Sequence, residues 1–159
     1  MLSQRARYAL RALVALARNG GGQLSASELS TRASTPRKFL EAILLELSHN
    51  QIVVSRRGKY GGYTLARPTA EITFAQVIRI MDGPLALASC VSPSLGFRQC
   101  ADCPDFATCC LREALRKARD ATAEVLEGYT LAQAASTGGA PAAIQSAAAN
   151  GEATQLAAI

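Results

Sequence analysis

Helical spacing dominates the first third of the chain. Ala6, Leu10, Leu13 and Ala17 recur at intervals of three and four, behind a Ser3 suited to cap the helix they define. The run Asn19-Gly20-Gly21-Gly22 ends it. Ser25 and Glu28 read as a Ser-x-x-Glu capping box opening a short second helix that buries Leu29 and Ala33. Thr35 as N-cap, with Pro36 in the first turn, opens a third. Phe39, Leu40, Ile43, Leu44 and Leu47 give that helix a broad face for burial, while Arg37, Lys38 and Glu41 fall near its start on the other side.

The period then drops to two. Residues 52–55 are rich in β-branched side chains, Gly58-Lys59-Tyr60-Gly61-Gly62 turns the chain, and residues 63–65 return, so a hairpin is expected with Arg56 and Arg57 at the base of its turn. Thr73 and Gln76 read as another capping box, starting a helix with Phe74, Val77, Ile78 and Met81 inward, and Asp82-Gly83-Pro84 stops it. Further on, Leu111, Leu115, Ala118, Thr122, Val125 and Tyr129 alternate spacings of four and three, a heptad-like seam. Such a seam suits self-pairing into a two-fold dimer, or packing on the chain's own first helix. The alanine-rich end has no periodic core and reads as a disordered tail.

The pattern predicts a mainly α fold with a small β-hairpin wing: a winged helix-turn-helix over residues 1–83, a linking segment over 84–110, a dimerisation helix over 111–131 and a tail over 132–159. In a winged helix-turn-helix the second helix of the pair enters the major groove and the wing lies against the backbone or the minor groove. Thr35, Arg37, Lys38 and Glu41 are then the candidate DNA contacts on the recognition helix, and Arg56, Arg57 and Lys59 those on the wing. For Arg37 and Lys38 the alternative is a merely solvated face.

Charge supports a polyanionic partner. The net charge is +5 over 159 residues, but residues 1–67 carry eleven Lys and Arg against three acidic residues (+8), and residues 68–159 carry six against nine (−3). A basic half joined to an acidic half points the first half at DNA, RNA or another polyanion. No stretch approaches the 18 or more apolar residues of a membrane helix. The apolar run near Leu10 is broken by Arg11 and lacks a following cleavage site, so a cytoplasmic protein without membrane contact is expected.

Chemistry concentrates in the linking segment, where all five cysteines fall: Cys90, Cys100, Cys103, Cys109 and Cys110. Cytosolic thiols stay reduced, so clustering favours metal binding or redox chemistry over a disulfide scaffold, and the odd count also opposes simple pairing. Thiolates are the soft donors that iron–sulfur clusters and zinc prefer. Zinc could take Cys100, Cys103, Cys109 and Cys110, although vicinal cysteines rarely serve one metal together. The single histidine, His49, ends the recognition helix and reads as a surface or cap residue. No acid–base or nucleophile constellation appears, so no enzyme is expected.

Three blocks carry a resemblance: Leu2-Ser3-x-x-x-Arg7-Tyr8-Ala9-Leu10, Arg57-Gly58-x-x-Gly61-Gly62-Tyr63, and Cys103-Pro104-x4-Cys109. Together they resemble the Rrf2 family, dimeric bacterial winged-helix regulators of the IscR, NsrR and RirA type, from residue 1 to about residue 131. The resemblance implies an iron–sulfur cluster, [2Fe–2S] or [4Fe–4S], with Cys90, Cys103 and Cys109 as ligands and Glu113 as the candidate fourth. Cys100 and Cys110 are additional, and the segment between Cys90 and Cys103 is longer than is usual in the family. Tyr8 stands where some members place an acidic ligand from the partner's first helix.

The expected function is a homodimeric transcriptional regulator, read as a repressor, that binds palindromic double-stranded DNA and senses iron, redox state or nitric oxide through the cluster. The rivals are a metal-free thiol redox switch, a zinc-site DNA-binding protein, and an electron carrier or cluster scaffold with no specific DNA binding.

Overall fold

The computed structural model describes residues 2–58, 61–103 and 105–137. The tail from residue 138 onward and Lys59 of the wing lie outside the described residues. Helix α1 (Gln4–Arg18) runs through the centre of the head. Ser3 starts it, its hydroxyl accepting the Ala6 N–H at 3.0 Å. The same residue ties α1 to the end of α4: its backbone N–H donates to Asp82 Oδ2 at 2.9 Å, and its hydroxyl contacts Oδ1. Helix α2 (Ala26–Arg32) has the complete expected box, with Ser25 Oγ accepting the Glu28 N–H at 3.3 Å and Glu28 Oε2 accepting the Ser25 N–H at 2.8 Å.

Helix α3 (Arg37–His49) departs from expectation at its first turn. Pro36, not Thr35, is the N-cap, and no side chain caps the helix. The connection from α2 is too tight to leave Thr35 free. Its hydroxyl turns back to donate to Ala33 O at 3.1 Å, its N–H donates to Ser30 O at 3.0 Å, and the Ser30 hydroxyl donates to Thr35 O at 2.7 Å. Phe39 is the second departure, 64% exposed rather than buried. Leu40, Ile43, Leu44 and Leu47 already fill the inward stripe, and a residue one position off lies about 100° round the axis.

These leucines meet Leu13 and Leu16 of α1, Leu29 of α2 and Ile52 before the wing, all fully buried. Full burial of one such side chain is worth about 1.5–3 kcal/mol, which fixes the helix pair on α1. The wing pairs β1 (Val53–Arg56) with β2 (Gly62–Leu65), antiparallel, from Val53 opposite Leu65 to Arg56 opposite Gly62. Leu24 adds a bridge: its N–H donates to Tyr63 O at 3.1 Å, and the Tyr63 N–H returns to Leu24 O at 2.8 Å. That close approach requires glycine. A Cβ on Gly62 would stand 2.5 Å from Leu24 O, and one on Gly61 would stand 2.4 Å from Arg56 O.

Helix α4 (Phe74–Asp82) is capped by Thr73 Oγ1, which accepts the Gln76 N–H at 3.2 Å, and ends at Gly83 with φ 85°. Two 3-10 turns follow, Ser89–Val91 and Pro93–Leu95, and then α5 (Arg112–Glu127). Helix α5 packs on α4 and on the Ser89–Val91 turn; the expected packing of its seam on the first helix falls instead to the next element. Tyr129 ends the seam inside the chain, its ring edge-on to Phe74 with centroids 5.0 Å apart.

The expected tail begins too early. Residues Leu131–Ser136 form a helix, α6, with its own capping box from Thr130 and Gln133. Leu131 is fully buried and Ala134 nearly so, because α6 packs on α1. A short bridge fastens the α5–α6 corner to the start of α4: the Phe74 N–H donates to Tyr129 O, and the Leu131 N–H to Ile72 O, both at 2.9 Å. Among the described residues, no helix is long and apolar enough to cross a membrane.

Candidate functional site

Two surfaces carry the candidate chemistry. On the reading head, Arg37, Lys38 and Glu41 are all exposed at the start of α3. There the first-turn N–H groups of the helix lack intrahelical partners and favour anions. Arg37 and Glu41 are not independent, since Arg37 Nε donates to Glu41 Oε1 at 2.8 Å across one turn. Thr35 lies under this surface, 3% exposed, with its hydroxyl spent on Ala33. Phe39 stands out beside Lys38, where an aromatic ring can meet a thymine methyl. Only its charged neighbours signalled that placement in the sequence. On the wing, Arg56 and Arg57 are exposed, and Arg57 leads directly into Gly58 with φ 114°.

The second surface lies at the foot of α5. Asp105 shapes the loop between Cys103 and Cys109: its Oδ1 accepts the Ala107 N–H at 3.0 Å, and its Oδ2 the Thr108 hydroxyl at 2.8 Å. The Ala107 N–H first, and then the Thr108 hydroxyl, hold the Asp105 carboxyl below its ordinary value. The Arg112 guanidinium stacks over the Phe106 ring at 4.0 Å. The longer segment after Cys90 also closes on itself. The Ser89 hydroxyl donates to Arg98 O at 3.0 Å, the Phe97 N–H donates to Ser92 O at 3.0 Å, and Gln99 Nε2 donates to Cys103 O at 2.7 Å.

The folded segment returns Cys100 to the Cys90 turn: its Sγ lies 4.0 Å from the Ser89 hydroxyl, and the Cys103 N–H donates to Cys100 O at 3.1 Å. Burial, then the neighbouring Cys100 thiol, pushes the Cys90 thiol up, and burial followed by the neighbouring Cys109 thiol does the same for Cys103. Cys109 moves the other way. The nearby backbone N–H groups of Leu111 and then Arg112, at the start of α5, favour the thiolate. Cys110 is exposed and has no part in these contacts. Glu113 is held elsewhere, paired with Arg116 at 2.9 Å and Lys117 at 3.5 Å. The Arg116 hydrogen bond holds its carboxyl below the ordinary range. Among the described residues no three such donors stand close enough to close on a single ion. Thiolates are by their chemistry the soft donors that iron–sulfur clusters take.

The profile of the Rrf2 family, described as an iron-dependent transcriptional regulator, matches residues 2–137. The chain belongs to the Rrf2 family. It is therefore a DNA-binding transcriptional regulator and not an enzyme. Among its relatives is a Rhodobacter capsulatus protein whose name marks it as a candidate Rrf2-like HTH-type regulator, 39% identical over 71% of this chain and 77% of its own. A Mycobacterium tuberculosis protein, named likewise as a candidate HTH-type transcriptional regulator, is 40% identical over 84% of this chain and 80% of its own. Among solved structures, CymR of B. subtilis, the global cysteine regulator, superposes with a TM-score of 0.69 at 30% identity, covering 86% of this chain and 96% of its own. T. potens IscR superposes with a TM-score of 0.64 at 27% identity, covering 84% and 85%. This Rrf2 chain thus resembles both a cysteine regulator and an IscR.

Proposed function

We propose that this regulator is a homodimeric, cytoplasmic repressor of a palindromic operator, controlled by an iron–sulfur cluster on Cys90, Cys103 and Cys109. The observation that supports the reading is that the turn carrying Cys90 packs on α5, while the loop from Cys103 to Cys109 leads into the first turn of the same helix. A bound cluster supplies covalent cross-links between thiolates and a charge set by its redox state. The chain's own residues supply the rest. The Arg112 N–H donates to Cys109 O at 3.3 Å, so a cluster held by Cys109 would bear on the first turn of α5. Arg119, further along α5, donates to Val91 O at 2.6 Å, beside Cys90. The bridge at Thr73 and Thr130 then passes any movement of α5 to α4 and the head. Dimerisation through the outer positions of α5 is part of the same reading: Leu111 and Val125 are 65% and 69% exposed, and no residue of α5 is buried within the single chain. A two-fold axis there sets the spacing of the two recognition helices to a two-fold operator.

The test is anaerobic purification with iron and sulfide analysis, followed by binding to duplexes selected from a random pool. The reading expects iron and sulfide in the protein, their loss in the Cys90, Cys103 and Cys109 alanine variants, and an operator affinity that changes when the cluster is removed. It also expects a dimer in sedimentation equilibrium. An iron-free protein with unaltered DNA binding overturns it.

The depressed Cys109 thiol, with the Cys103 thiol among its causes, favours a second reading, a metal-free thiol switch. The Cys109 thiolate would attack peroxide, giving a sulfenic acid and releasing hydroxide; the Cys103 thiol would then attack that sulfur, its proton leaving with the sulfenic hydroxyl as water, to give a disulfide. An iron-free preparation whose DNA binding responds reversibly to peroxide and dithiothreitol selects it.

A further inference from the structure

The segment between Cys90 and Cys103 is not a slack insertion. Three hydrogen bonds fold it back on itself, through Ser89 to Arg98, Phe97 to Ser92 and Gln99 to Cys103. Gly96 and Phe97 reverse the chain between them in the left-handed region, with φ 66° and 52°. The product of that folding is the position of one residue. Cys100 is returned to the Cys90 turn, its Sγ 4.0 Å from the Ser89 hydroxyl, and its carbonyl accepts the Cys103 N–H at 3.1 Å. A segment that served only as a spacer would not need to return its thiol to the others.

We propose that Cys100 is the fourth ligand of the cluster, so that this chain closes the site with four thiolates of its own. The inference rests on the cluster reading above. Binding exchanges a proton for a metal: the Cys100 thiol releases its proton to solvent as the sulfur–iron bond forms, with no change in oxidation state. The other candidates are poorly placed. Glu113 is engaged with Arg116 and Lys117, and Cys110 is exposed and outside the thiol contacts. Four thiolates leave no iron with an exchangeable position, so an added ligand must displace a cysteine. They also place more negative charge on the cluster than three do and make it harder to reduce.

The test compares the full-length protein with Cys100→Ala, Cys110→Ala and Glu113→Ala, each reconstituted anaerobically with iron and sulfide. Imidazole is then added while absorbance and iron–sulfur stretching frequencies are followed. Only Cys100→Ala is expected to shift its spectrum on imidazole addition and to have a raised reduction potential. Cys100→Ser, which keeps the shape and offers an oxygen, should stand between it and the unaltered protein. A cluster in Cys100→Ala that matches the unaltered protein in both readouts overturns the assignment and leaves the cluster reading intact. A response confined to Glu113→Ala or Cys110→Ala overturns it in favour of that residue. Failure of the unaltered protein to take up iron and sulfide overturns the cluster reading itself. Far-ultraviolet circular dichroism of the apo-variants separates ligand loss from misfolding.

Discussion

Arg119 Nη1 donates to the carbonyl oxygen of Val91 at 2.6 Å, tying the middle of α5 to the residue after Cys90. The guanidinium also pairs with Asp120, and its side chain is only 17% exposed. One side chain therefore joins the thiol segment to the helix that carries the heptad-like seam. Arg119→Ala removes a charge-assisted hydrogen bond, a type worth about 1.5–3 kcal/mol, and should lower stability by a similar amount in urea unfolding. Its larger effect should be on coupling. The difference in DNA affinity between cluster-loaded and cluster-free protein should shrink while iron content stays unchanged. A full difference in the variant would remove Arg119 from the path.

The wing glycines are set by neighbouring backbone. Gly62→Ala would push a methyl to 2.5 Å from Leu24 O, which cannot retreat without breaking its pairing with Tyr63. Overpacking of this kind costs about 1–3 kcal/mol. The variant should unfold at lower urea and bind DNA more weakly, since Arg56 and Arg57 lose their support. Wild-type stability would mean that the Leu24 strand moves freely.

The Leu131→Ala variant tests the helix that was not expected. Leu131 is fully buried against α1, and truncating such a leucine costs about 2–5 kcal/mol. Equilibrium unfolding should show that loss, whereas Gln133→Ala, at an exposed position, should lose only the Thr130 box. A negligible loss for Leu131→Ala would return residues 131–136 to the tail.

A physical difference separates this helix from the elements that the local pattern announces. Caps at Ser3, Ser25 and Thr73, the wing glycines and the leucine stripe of α3 are local signals, and each appears where the sequence places it. The Thr130–Gln133 box was equally local, but its alanine-rich surroundings masked it, and only docking on α1 gives Leu131 a partner. Phe39 lies outside the buried stripe because a stripe of apolar residues has no edge until neighbours occupy it. The spread of the cysteines said that thiols gather. It could not say that Cys100 returns to Cys90, because that depends on Ser89, Gln99 and a chain reversal at Gly96 and Phe97.

Acid should act on α2 through Glu28. The Ser25 hydroxyl, and then its backbone N–H, hold the Glu28 carboxyl below its ordinary value. A carboxyl depressed in the folded chain stabilises it above the unfolded-state value, and that stability is lost as pH falls through the folded value. Thermal melts across the acidic range should therefore show a descending limb that is shallower in Glu28→Gln. Identical limbs would assign acid sensitivity to other carboxylates.

The last expectation concerns how the reading helix divides affinity from specificity. Arg37 and Glu41 satisfy each other at 2.8 Å in the free chain, on an exposed surface where such a pair contributes only about 0.3–0.5 kcal/mol to the fold. Stability is therefore a poor reason for a carboxylate at this position. Glu41 can orient the guanidinium toward a guanine edge or accept from a cytosine amino group itself, and in either role it suppresses indiscriminate phosphate binding. Glu41→Ala should leave urea stability almost unchanged. It should strengthen binding to random duplex and steepen the salt dependence by about one unit, the contribution of one more released cation. Binding-site selection should then show relaxed preference at a single position of each half-site. If random-duplex affinity and site preference both stay at wild-type values, the pair is a surface ornament and base reading falls to Lys38, Phe39 and the wing.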